Sequence, residues 1–218
     1  MNIESARFLS RRIAIAALSL MLAACQAGAS SLPPTLSPEA TSAEASPFGT
    51  PSLAPSPTFS AGRVATRIVV GRLGIDMPVM LQTPNYGAFP LCDVALYLPV
   101  LSQPGQGRAT YIYAHARTGM FLPLLTASRI SNGQGMIGDI VQVYTSDSFV
   151  FTYRIAEVHR HARSLIDAFN ARREVVFLQT SEGPTSTYPK LQVVADFVSA
   201  TPTDEPSAHP MPHPRKCM

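Results

Sequence analysis

The run Leu178-Gln179-Thr180-Ser181 ends a β-type segment on a hydroxyl that could serve as a nucleophile, and Tyr111-Ile112-Tyr113-Ala114-His115 ends another on an imidazole. If the two strands lie side by side, hydroxyl and imidazole meet at one end of a sheet, as acyl transfer requires. A serine carries no preformed anion, so a base within about 2.6 to 3.2 Å must take its proton as attack proceeds. His115 is the first candidate, since an ordinary imidazole pKa near 6.5 suits that task. Taken singly, these residues have plainer readings. Thr180-Ser181-Glu182-Gly183-Pro184 is a good turn opener, His115 could cap a carbonyl, and Lys190 after Pro189 could be a solvated strand-edge charge. The chemistry rests on the three occurring together.

The elements that must position them are β-type. Between residues 63 and 199, strand-forming runs rich in Val, Ile, Phe and Tyr occupy 66–70, 94–98, 109–114, 140–144, 149–158, 175–180 and 191–198. Several alternate by two, as Phe149-Val150-Phe151-Thr152-Tyr153-Arg154 does, which is the mark of a half-buried strand. Gln103-Pro104-Gly105-Gln106-Gly107 and Ser131-Asn132-Gly133-Gln134-Gly135 read as turns, and Thr145-Ser146-Asp147-Ser148 has hairpin length. One or two helical turns are expected between Gly119 and Ile130, kept short by Pro123. The fold class expected is all-β, a closed or nearly closed barrel with one or two short helices.

The ends of the 218-residue chain differ in character from this middle. Residues 1–24 read as an export signal: Arg7, Arg11 and Arg12 precede an apolar stretch from Ile13 to Ala24, too short for a spanning helix of about 20 residues. Leu22-Ala23-Ala24-Cys25 resembles a lipobox, which makes Cys25 the expected lipidation site, with two acyl chains as a stable membrane anchor. From 25 to 62 the composition is Ser, Thr, Pro and Ala, expected to be a disordered tether with a mean span of about 35 Å. Residues 200–218 read as a Pro-rich tail; a Cys92–Cys217 disulfide is possible in an exported protein but has no framework spacing behind it, so Cys217 is expected to be free and Cys92 a small core residue. Beyond the signal, 14 basic face 13 acidic residues, which gives no electrostatic case for nucleic acid.

The ordered segments resemble the sortases, bacterial surface transpeptidases built on an eight-stranded barrel. Ala114-His115-Ala116-Arg117-Thr118-Gly119, followed by Phe121 and Leu124-Leu125, resembles the family's His segment. Leu178-Gln179-Thr180-Ser181 resembles its nucleophile segment, and Lys190-Leu191-Gln192-Val193-Val194 falls where its Arg strand begins. Ile75-Asp76-Met77-Pro78-Val79 resembles the family's early strand pair. The likeness covers 63–199, with three departures: Ser181 stands for the family's Cys, Lys190 for its Arg, and Ala114 for a common Gly. The family is also usually held by a transmembrane helix, where this chain offers a lipid.

The resemblance implies an eight-stranded barrel acting by acyl transfer on extended peptide segments of envelope proteins, through His115, Ser181 and Lys190, with Thr180 and Arg117 supporting substrate or oxyanion. Lys190 has two readings: a cation steadying the oxyanion in place of Arg, or, with a lowered pKa, the base of a Ser-Lys pair. The competing class is an inactive module of the same shape that binds peptide or wall material. The expected place is the outer face of the membrane or the cell envelope, with no cofactor and no metal. His159 and His161 alternate on one strand without an evident third ligand, and the tail's His209 and His213 lack one as well. Leu32-Pro33-Pro34-Thr35-Leu36 resembles a sorting signal but sits at the wrong end and lacks Gly. Target motif, acceptor, oligomeric state and calcium dependence are left open by the sequence.

Overall fold

In the computed structural model, residues 59–81, 91–183 and 188–217 are described. Cys25, nearly all of the tether and the 32–36 motif lie outside them. Eight strands form in chain order: β1 (Ala65–Val70), β2 (Ile75–Leu81), β3 (Ala95–Tyr97), β4 (Ala109–Tyr113), β5 (Ile140–Thr145), β6 (Phe149–Ala162), β7 (Val175–Ser181) and β8 (Lys190–Pro202). Helices are short: α1 (Leu122–Ser128), α2 (Ile166–Asn170) and α3 (Glu205–Ala208). The strands close into a barrel in the order β1-β2-β3-β4-β7-β8-β6-β5.

Pro123 lies in the first turn of α1, where a missing N–H costs nothing, so it starts the helix rather than cutting it short. The β5–β6 connection is the expected hairpin, closed by Ser148 N–H donating to the Thr145 carbonyl at 3.0 Å.

Alternation along the strands divides the side chains between two faces. Val176, Leu178, Leu191, Val193 and Ile112 point into the barrel, where they pack with Phe121 and Leu124 of the α1 segment. Val175, Phe177, Val194, Tyr111 and Tyr113 form a second apolar cluster on the outer face, partly covered by Ala168 of α2. A period of two then puts Gln179 and Ser181 of β7 and Lys190 and Gln192 of β8 on that outer face.

Two expected boundaries shift. Phe59, which composition assigns to the tether, packs against Phe149 and Phe151 with ring centroids 5.6 and 5.2 Å apart. The C-terminal segment also folds back: Ala208 is buried, Arg67 donates to the Ser207 carbonyl at 3.1 Å, and Cys92 and Arg215 form an antiparallel bridge. That bridge overturns the expected free Cys217, because it brings Cys217 to Cys92 with a Cα–Cα distance of 5.2 Å and the two form a disulfide. Cys92 is buried as expected, but as a cross-link.

Gly105 shows how tightly the loop before β4 is packed. Its φ is +88°, and a Cβ there would press into Arg63 Nη1 and the Phe59 ring. Gly105→Ala is expected to cost about 2 to 4 kcal/mol, from left-handed strain plus overpacking, read from the urea midpoint. An unchanged midpoint would show that this loop yields freely.

Candidate active site

The site is built where β4, β7 and β8 end together. β4 and β7 run parallel, with Tyr113 opposite Gln179. Their pairing continues one residue further: Ala114 N–H donates to the Gln179 carbonyl at 3.1 Å, and Thr180 Oγ1 donates to the Ala114 carbonyl at 2.9 Å. His115 therefore comes just past the end of β4, after Ala114. On the other side β7 and β8 are antiparallel, and Ser181 pairs with Lys190. Residues 9 apart in sequence are thus cross-strand neighbours, and Lys190 Nζ lies 2.8 Å from Ser181 Oγ.

Desolvation lowers the Lys190 pKa from its usual 10.5, since partial burial disfavours the ammonium. Among the described residues no carboxylate within 4.0 Å offsets that effect. Ser181 and Lys190 open on a pocket of about 190 Å³ whose walls include Leu98, Tyr113, Leu165 and Tyr188. Its floor is held by a polar network: Tyr111 Oη donates to Gln179 Oε1 at 2.6 Å and accepts from Gln192 Nε2 at 3.0 Å, while Gln192 also donates to the Ser164 carbonyl at 3.0 Å. Burial raises the Tyr111 pKa and pushes that of Tyr113 up to about 12, so both phenols stay neutral donors.

Of the other candidates, Thr180 lines the same pocket, while His115 and Arg117 are not among its lining residues. Thr180 is buried and its hydroxyl proton is committed to Ala114, so its part is to hold the β4 and β7 ends in register. Arg117 Nη1 lies 3.6 Å from Cys92 Sγ. A ring nitrogen of His115 lies within 4.8 Å of the sulfurs of Cys92 and Cys217. These three are the one His, Cys, Asp or Glu cluster with ligand-like spacing among the described residues, and their sulfurs are joined in the disulfide. His159 and His161 do not converge: His159 Nε2 meets Glu157 at 2.7 Å, and His161 Nδ1 meets Glu182 at 2.6 Å.

Glu182 and the Tyr111-Gln179-Gln192 network went unseen in the sequence. The Glu182 carboxylate is nearly buried, accepting from Arg160 Nε at 3.3 Å and the His161 backbone N–H at 3.1 Å, which anchors the residue after Ser181 to β6. The outward alternation of Tyr111, Tyr113, Gln179 and Ser181 was the one available signal, and it requires the parallel β4–β7 register to be meaningful.

A larger open groove of about 550 Å³ lies near the opposite end of the same strands, around Glu157, Arg173, Val175 and Phe177. Its lining residues Val175 and Phe177 lie roughly 20 and 13 Å along β7 from Ser181 at strand rise. Two side-chain pairs involve its residues, Arg173 with Asp196 and His159 with Glu157.

No family model and no curated protein matches the chain. Solved structures do. Sortase A of Listeria monocytogenes is similar with a TM-score of 0.52 at 15% identity, covering 65% of this chain and 92% of that one. Sortase E1 of Streptomyces coelicolor, solved with a tripeptide in its active site, is similar with a TM-score of 0.51 at 14% identity, covering 64% of this chain and 90% of that one. At this identity the likeness carries the architecture, and with the closed eight-stranded order seen here it shows that this chain has the sortase-like fold.

Proposed function

We propose that this protein is a sortase-like acyl transferase or hydrolase that acts on extended peptide segments of envelope proteins, with Ser181 as nucleophile and Lys190 as its base. The 2.8 Å contact between Lys190 Nζ and Ser181 Oγ carries the reading. At that distance a neutral amine takes the hydroxyl proton as Oγ attacks a carbonyl, and the resulting ammonium returns it to the departing amine. A second amine or water then cleaves the Ser181 ester by the reverse proton path. Partial burial supports the neutral amine by lowering the Lys190 pKa. The apolar and tyrosine-lined pocket beside Ser181 suits an uncharged side chain of an extended peptide lying along β4 and β7. The tripeptide in the active site of sortase E1 agrees with that substrate class.

In the same reading, Cys25 carries the lipid and the Ser, Thr, Pro and Ala-rich segment that follows it, up to Phe59, holds the barrel off the outer face of the membrane. Among the described residues no helix is long and apolar enough to cross a bilayer.

A serine-reactive phosphonate probe tests the reading on the mature chain. The adduct is expected on Ser181, forming faster as pH rises through the lowered Lys190 pKa, because only the deprotonated amine accepts the proton. No adduct at any pH, with peptide binding retained, would make the protein a binding module of this shape.

A further inference from the structure

The disulfide has surroundings that acyl transfer does not use. Cys92 is buried while Cys217 is partly exposed. Arg117 Nη1 lies 3.6 Å from Cys92 Sγ, and the His115 ring lies within 4.8 Å of both sulfurs. Thiol exchange makes different demands on its two sulfurs: one must be reachable by an incoming thiolate, and the other must leave carrying negative charge. Here Cys217 meets the first demand. Cys92, whose sulfur has the Arg117 guanidinium 3.6 Å away, meets the second, since a nearby cation stabilises a thiolate.

We propose that Cys92–Cys217 is a thiol-exchange site for a dithiol reductant, and that its reduction releases residues 209–217 from the barrel. One thiolate of the reductant attacks Cys217 Sγ, forming a mixed disulfide, and the pair of electrons from the broken S–S bond leaves on Cys92 Sγ, which then takes a proton. The reductant's second thiolate attacks its own sulfur in the mixed disulfide and frees Cys217 as a thiolate that is protonated in turn. Two protein thiols form and the dithiol becomes a disulfide, a two-electron, two-proton exchange.

Release follows from what remains. Without the covalent link, 209–217 is held by the Cys92–Arg215 backbone pair, at 2.8 and 3.2 Å, by the exposed Arg215–Asp93 ion pair, and by the contacts of Cys217 itself, which packs against the edge of the barrel core. Most of its side chains face solvent. Exposed ion pairs hold weakly. α3 stays in place through buried Ala208 and the Arg67 contact to Ser207. The freed segment and the new thiols lie beside His115, so the redox state changes the surroundings of that residue.

The test uses the oxidised mature chain. Brief exposure to glutathione, an acid quench and alkylation are expected to leave glutathione on Cys217 and the alkyl group on Cys92, located by peptide mass. Arg117→Met is expected to slow the attack roughly three- to tenfold, and Arg117→Lys to restore it, as leaving-group stabilisation predicts. After reduction with dithiothreitol, trypsin is expected to cut at Arg215 and Lys216 at least tenfold faster than in the oxidised chain. Glutathione found on Cys92, or a rate untouched by Arg117→Met, overturns the exchange site. Equal cleavage in both redox forms overturns the release. Adduct position is read in the unaltered chain, so it stands even where a variant does not fold, and none of these readouts involves Ser181.

Discussion

Replacing Lys190 with methionine is expected to slow phosphonate modification of Ser181 by about 10²- to 10⁴-fold, the span that a positioned general base contributes. Methionine keeps much of the length and apolar stem while removing the nitrogen 2.8 Å from Ser181 Oγ. The informative companion is Lys190→Arg. A guanidinium keeps the charge and the donors but does not deprotonate, so it can steady an oxyanion and cannot act as a base. If Lys190 is the base, the arginine variant is as slow as the methionine variant and loses the rising limb of the pH profile. If Lys190 only steadies charge, arginine restores most of the rate and the limb survives, which assigns the proton to another group and removes the Ser-Lys proposal. The two roles left open by residue type alone are thereby separated by one substitution.

The second large effect concerns stability at the opposite side of the barrel. Arg63 is a buried guanidinium, its side chain 1% exposed, held by Asp147 at 2.5 Å through Nη2 and by the Pro104 carbonyl at 3.2 Å through Nη1. Its Cζ also lies 3.9 Å from the Phe59 ring centroid. Asp147→Asn leaves that cation buried without its counter-charge and is expected to cost about 3 to 5 kcal/mol, measured by urea denaturation. Arg63→Met is expected to cost less, because Asp147 retains contact with water. Equal costs for the two would mean that the pair acts through packing alone. The hydrogen bonds from Arg63 hold the Asp147 carboxyl down to about 2, aided by the Thr145 hydroxyl. A carboxyl depressed in the folded state contributes stability that is complete above its unfolded pKa, about 3.9, and is lost as pH falls toward the folded value. Wild type should therefore weaken between about pH 4 and pH 2, and Asp147→Asn should lack this component of the decline.

Much of the barrel was legible because strands announce themselves locally. Alternation in 149–154 and β-branched runs such as 175–178 reflect burial on one or both faces, a constraint each strand carries in its own residues. β2, interrupted by Pro78 and Asp76, was visible only through the family likeness. The candidate site was legible as an ordered set, Ser181 at the end of one strand and Lys190 at the start of the next, since an antiparallel pair joined by a short connection must bring them opposite each other.

Residue order and alternation by themselves determined which side chains could be chemical and which segments, β2 apart, are strands; that Ser181 and Lys190 share a face came from the β7–β8 register. Tertiary structure alone decided the Cys92–Cys217 link, made across a separation of 125 residues. It also decided the burial that lowers the Lys190 pKa and the Glu182 anchor on β6. The physical reason is range. Periodicity and propensity act over a few neighbouring residues, whereas a cross-link, a desolvated amine and a buried carboxylate depend on chain segments that meet only when the barrel closes.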